Sequence, residues 1–334
     1  MRRRDALRLL GLGATALAAA GCDALPASEV KLPKAPRRDF RRVRVCYTPA
    51  YVGAAHAFET TRKARWVADS LAADPIAGIE LVPNASLTEE ELERVHDRPY
   101  VAAVRTGEPR NLSESQGFVW DPELWPMVRA SNGGVTAAAA TALVDGVAGA
   151  LSSGLHHARR AHGAGFCTFN GLAIAALRAL DQGLKRVLII DLDAHCGGGT
   201  HSLIATRPEI HQLDVAVDDF DQYEPGGANT LDLVGDAALY LPTVMRRLEA
   251  LADERFDLCL YNAGMDPHEH CPVGGLAGID DSVIARREHL VFSWCRERKL
   301  PVAFVLAGGY IGPGLDQAGL VALHRLTLTE ASAR

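Results

Sequence analysis

The chain has 334 residues, 48% hydrophobic and 23% charged, with a formal net charge of −6 and a pI of about 6.1. That supplies the apolar content for a sizeable core, in one large domain or two ordinary ones. The acidic balance argues against a nucleic-acid-binding surface. The seven cysteines, at 22, 46, 167, 196, 259, 271 and 295, include no CxxC pair and no spacing of a disulfide framework or zinc finger.

The first 22 residues read as an export signal: a basic head, an apolar stretch from Leu9 to Ala20 and a small-residue exit. The stretch is too short and too small-sided for a membrane span. Arg3 to Arg8, "RRDALR", resembles a twin-arginine motif, and Ala19 to Cys22, "AAGC", resembles a bacterial lipobox with Cys22 as the lipidated residue. Ala18 and Ala20 also fit a simple A-x-A cleavage site, so lipidation and plain cleavage both stand. Either makes the protein an exported one of the periplasm or cell envelope, with Cys22 its membrane anchor in the lipidated form. Residues 23–42 carry Pro26, Pro33 and Pro36 among many charges and read as a flexible tether; Arg37, Arg38, Arg41 and Arg42 form a solvated run within it.

From Val43 onward, short apolar runs alternate with helix-like segments. Strands are expected at 43–47, 79–82, 186–193, 213–217, 257–264 and 302–309. Amphipathic spacing marks helices near 171–183, 240–254 and 282–299, with Gly183 and Pro301 at their ends. The Ala-rich run from Ala137 to Ala150 reads as a tightly packed helix. Continuous apolar strands between helices imply an α/β domain, 43–328: a mostly parallel sheet covered by helices on both faces.

Three strands end in unusual chemistry: "DLDAH", "NAGMD" and "AGGY". In open α/β sheets, ligands bind beyond the carboxyl ends of the strands, so these endings converge on one site. Side chains alternate along a strand, so Asp191, Asp193 and His195 share a face if the extended geometry continues. Asp193, His195 and Asp266 make two carboxylates and one imidazole with an open fourth position, the donor set of a catalytic zinc. Asp191 lies further inside, behind the ligands. The same acids could instead cap turns or form buried ion pairs, and D-x-H alone does not choose. The adjacent His156 and His157 are candidates for proton transfer, and Tyr310 for an oxyanion donor.

Eight ordered segments carry a resemblance: "HAFETTRK", "VHDRPYVAAV", "RTGEP", "ESQGFVWDP", "GLHHARRAHGAGFCTFN", "DLDAHCGGGT", "YNAGMDP" and "LAGGY". From Val43 to about His324 the chain resembles the histone deacetylase superfamily, which has the arginase–deacetylase fold. "DLDAH" and "YNAGMD" are most similar to the class IV deacetylases and their bacterial relatives. The resemblance implies zinc on Asp193, His195 and Asp266, and a catalytic pair His156 and His157 with Asp191 behind His156. It also implies that Tyr310 polarises the acyl carbonyl and that Gly165 and Phe166 line an acyl-lysine tunnel. Many members hold potassium near the first motif, which here would involve Asp191, Asp193 and His195; Ala216 stands where a serine often assists. Many relatives also read "DxDxHHGDG". Cys196 and Gly198 replace the second His and the Asp, which leaves His157 expected to lack an acidic partner.

The implied activity is zinc-dependent hydrolysis of an N-acyl amide, with an acylated peptide or small molecule as substrate. Val273 stands where polyamine-preferring relatives carry an acid, which disfavours a polycation. An arginase-like ureohydrolase would need further Asp ligands. A non-catalytic binding protein on the same fold, or an acetylpolyamine amidohydrolase, are the alternatives.

Overall fold

The computed structural model describes residues 41–54 and 61–333. The expected export signal, Cys22 and all of the expected tether but Arg41 and Arg42 lie outside the described residues, as do residues 55–60 within "HAFETTRK". Among the described residues, no helix is long and apolar enough to cross a membrane.

Among the described residues, eight strands form one sheet: β1 (Val43–Cys46), β2 (Ile79–Val82), β3 (Val147–Ala150), β4 (Val187–Asp191), β5 (Ile210–Ala216), β6 (Thr230–Leu233), β7 (Leu258–Ala263) and β8 (Val302–Leu306). Their order is β2-β1-β3-β8-β7-β4-β5-β6 and every pairing is parallel. Strand β4 shows why both faces are covered. Leu188 and Ile190 enter one apolar cluster with Val67, Val244, Ile284, Val291 and Leu320, from helices 63–73, 237–250, 281–297 and 317–332. Val187 and Ile189 enter the other with Val104, Val135, Leu172 and Ile204, from helices 98–106, 124–145, 171–181 and 198–204. Each such side chain stabilises the fold by about 1.5–3 kcal/mol when fully buried, and that requirement makes the strand continuously apolar.

The central strands β3, β8, β7 and β4 are neighbours, and Ala150, Val305, Asn262 and Asp191 lie in one row across them. The chain leaves all four at the same edge. The segments after that row carry the histidine pair, Tyr310, Asp266, and Asp193 with His195.

Two strands depart from the expected reading. The Ala-rich run is not one helix to Ala150. Its helix ends at Asp145, Gly146 follows at φ 82°, a left-handed conformation that costs glycine little, and Val147–Ala150 is the fully buried strand β3. With small residues on both sides of the boundary, the apolar pattern alone cannot mark where the period changes. Strand β6, "TLDL", lies at the sheet edge, partly exposed and too short to show a pattern.

Candidate active site

The histidine loop runs from the end of β3 to Asn170, the cap of helix 171–181. Asn170 Oδ1 accepts from Ala173 N at 2.9 Å, while its Nδ2 donates to the carbonyls of His156 (3.2 Å) and Ala158 (3.1 Å). Thr200 N also donates to the His156 carbonyl, at 2.8 Å. One capping residue thus starts a helix and holds the carbonyls of His156 and Ala158, on either side of His157.

Strand β4 ends at Asp191, and the chain bends through Asp193. The extended geometry therefore stops sooner than expected, yet both acids still face the histidine pair. His156 Nδ1 lies 2.8 Å from Asp191 Oδ2, and its Nε2 lies 3.6 Å from Asp193 Oδ1. Asn262 Nδ2 donates to the other Asp191 oxygen at 2.8 Å. Asp193, His195 and Asp266 are all buried and bring one ligand atom each within 4.8 Å of one another. His195 Nδ1 is 3.0 Å from Asp193 Oδ1 and 3.2 Å from Asp266 Oδ2.

The electrostatics separate the two histidines, whose ring centroids are 3.9 Å apart. Burial opposes charge on His156, but Asp191 and Asp193 outweigh it and raise the imidazole to about 10. His157 is lowered to about 4, first by burial and then by its charged neighbour His156. The pair is thus poised with one proton-bearing and one neutral ring. Burial, Asp266 and Asp193 push the Tyr310 phenol well above its ordinary value, so it remains a protonated donor.

An apolar wall stands beside these groups. Phe166 lies 5.3 Å from Phe118 between ring centroids. A Cβ on Gly165 would stand 2.9 Å from Phe220, whose ring meets His157 edge-on at 4.9 Å. Val273 is half-buried beside Gly274, where a Cβ would stand 3.2 Å from His195 Cε1.

The family model "Histone deacetylase domain" matches residues 56–324, most of the chain. The chain belongs to the histone deacetylase family. It is 34% identical over 232 residues to an uncharacterised protein of Picosynechococcus sp., covering 66% of this chain and 75% of that one. It is 32% identical over 196 residues to histone deacetylase 2 of Arabidopsis thaliana, covering 56% of this chain and spanning half of that protein. Among solved structures, the HDA15 HD domain aligns with a TM-score of 0.71 at 22% identity, over 87% of this chain and 89% of that one. The acetylpolyamine aminohydrolase from Burkholderia pseudomallei aligns with 0.69 at 21% identity, over 86% and 98%. The expected fold, a parallel sheet with helices on both faces, is the fold these structures share.

One expectation for this deacetylase domain is overturned. Gly198 does not leave His157 without an acid: Asp221, from the loop after β5, places Oδ2 3.0 Å from His157 Nδ1. A Cβ on Gly198 would collide with the Asp221 backbone carbonyl and lie 2.9 Å from its Cγ, so the missing side chain is what admits the replacement. Nothing in the spacing of "DDFDQ" announces this, because the partner comes from another loop. Two other residues were missed. Phe220 adjoins Asp221 and forms part of the wall. Buried His96 lies with Nδ1 2.8 Å from the Arg159 carbonyl, and its Nε2 accepts from Asn170 N at 3.0 Å.

Proposed function

We propose that this deacetylase-family domain is a zinc-dependent amidohydrolase that removes acetyl or other acyl groups from an acyl-lysine-like amide. The observation that carries the reading is the convergence of Asp193, His195 and Asp266 beside a histidine pair backed by two carboxylates. The donor set fits a cation: Asp266 Oδ2 is buried, with His195 Nδ1 3.2 Å away and no well-formed hydrogen bond to it among the described residues, and two carboxylates with one imidazole suit zinc. Zinc held there supplies Lewis acidity and makes a water molecule acidic enough to attack at neutral pH.

The chain's own residues supply the rest. Neutral His157 has its Nδ1 engaged by Asp221, which leaves Nε2 to accept the proton of the attacking water. His156, kept protonated by Asp191, gives a proton to the leaving amine. The Tyr310 phenol donates to the oxyanion as the carbonyl carbon becomes tetrahedral. Gly165, Phe166 and Phe220 exclude water along the acyl chain. Potassium, where bound, would be held near Asp191, Asp193 and His195. Ala216 offers no hydroxyl, but Asp214 Oδ1 and Gln212 Oε1 are buried acceptors that make no well-formed hydrogen bond among the described residues.

The reading includes export to the cell envelope and anchoring through Cys22, supported by the signal-like sequence of residues 1–22. The purified chain should release acetate from an acetyl-lysine peptide, lose that activity with a chelator and regain it with zinc. Acetylpolyamines form the second arm of the assay. Faster turnover there would favour the amidohydrolase alternative that the similarity to the Burkholderia enzyme raises. No turnover in either arm by zinc-loaded protein would count against hydrolysis and favour the binding protein.

A further inference from the structure

We propose that Arg159 is a positioning residue for His157, acting through Asp221 and fastening the Phe220 segment to the histidine loop; this rests on the hydrolase reading above. Arg159 follows the pair by two residues and is firmly placed. Its carbonyl lies 2.8 Å from His96 Nδ1, and its N–H donates to the His162 carbonyl at 2.9 Å. Its guanidinium reaches two other segments. Nη2 donates to Asp221 Oδ1, and Nη1 donates to the Gly198 carbonyl at 3.2 Å. Asp221 Oδ2 faces His157 Nδ1 at 3.0 Å and accepts from Gly199 N at 2.9 Å.

Each oxygen of Asp221 therefore has its own task. One is held by Arg159; the other orients the imidazole and ties down the start of helix 198–204. Asp221 sits at φ 62°, in the left-handed region that Asp enters more readily than most residues. An Asp attached at position 198 would be placed by the backbone of the metal-ligand loop itself. An acid brought from the loop after β5 lacks that covalent support. The forked guanidinium replaces it, because one planar group can grip a carboxylate and a carbonyl together. The same grip holds Phe220, whose carbonyl accepts from Cys196 N at 3.0 Å and whose ring closes on His157.

The test uses the full chain loaded with zinc. Arg159→Met should lower kcat at least tenfold while KM changes less than about threefold, because the loss falls on the orientation of a proton-transfer group. Arg159→Lys should recover at least a third of the wild-type kcat. Exposed Arg160, whose ion pair with Asp97 is 3.9 Å long, gives the control Arg160→Met, expected within threefold of wild type. Hydrogen exchange provides a reading independent of turnover: the Gly199 amide should lose protection in Arg159→Met and keep it in Arg159→Lys. A smaller fall in kcat, a Lys variant no better than Met, or unchanged protection of Gly199 would overturn the assignment. If wild type turns over none of the substrates, the hydrolase reading fails separately, and Gly199 protection alone decides whether Arg159 holds Asp221.

Discussion

The backbone N–H of Gly308 donates to Asp193 Oδ2 at 2.6 Å across 115 residues of sequence. The chain leaving β8 thus holds a carboxylate that follows β4, although β7 lies between the two strands. Gly308 has no room for a side chain. A Cβ there would collide with the Asp266 carboxylate and stand 2.6 Å from Asp193 Oδ2. Gly308→Ala should therefore separate two of the three proposed ligands while leaving the sheet intact. The expected outcome is a folded protein, by circular dichroism, whose zinc affinity falls at least about tenfold. Wild-type affinity in that variant would remove Gly308 from the support of the metal centre.

Removing a ligand should be more severe than disturbing one. Asp266 Oδ1 accepts from Ala194 N at 2.9 Å, between Asp193 and His195, so this carboxylate also holds the loop that carries the other two proposed ligands. Asp266→Ala should lose metal and hydrolysis together, falling from about one zinc per chain to a trace by elemental analysis. A variant that is metal-free and fully active would refute a metal mechanism.

Tyr310→Phe separates chemistry from binding. Burial and the adjacent acids keep the phenol protonated, and its proposed task is met only as the oxyanion develops. Removing one such donor typically costs about 10²–10³ in kcat. The measured variant should show that loss with unchanged zinc content, and a loss below about threefold would reduce Tyr310 to packing.

The N-terminus makes its own prediction in cells. Cys22→Ala should release the mature protein from the membrane fraction, and replacing Arg3 and Arg4 with Lys should keep it in the cytoplasm. Native protein found soluble in the cytoplasm with Met1 retained would refute the export reading.

The central strands were legible because burial on both faces demands unbroken apolar runs, as in "VLIID" and "LCLYNA". Their polar endings were legible for the converse reason, since a carboxylate at the end of such a run needs a partner. Strand β3 was hidden because Ala and Gly suit a helix as well as a strand, and only the left-handed Gly146 divides them. Asp221 was hidden more deeply. Its neighbours in sequence are ordinary loop acids, and its value to His157 depends on space vacated by Gly198 on another segment. The departure at Gly198 was visible, but its compensation was a property of the folded chain.

His96 lay within a recognised segment but received no role from sequence, and it carries the last prediction. Its Nδ1 faces a carbonyl and must bear the proton. Its Nε2 faces the Asn170 N–H and must present its lone pair. The neutral ring therefore satisfies both sides, whereas a second proton would set one N–H against another. Burial lowers the imidazole from 6.5 to about 4, with Arg160 adding to the effect and the bonded Arg159 carbonyl opposing it. Between those two values the unfolded chain binds a proton that the folded chain refuses. Stability therefore rises with pH across the window, is fully present above about 6.5, and is lost as pH falls toward 4. A shift of this size corresponds to about 3 kcal/mol. His96→Gln keeps one donor and one acceptor but cannot titrate. In urea unfolding of the metal-free protein, it should be the less stable form at pH 7, and its deficit should shrink steadily toward pH 4. His157 titrates in both proteins, so its share cancels in the comparison. A deficit that stays constant from pH 7 to 4 would show that His96 does not take up its proton in this window.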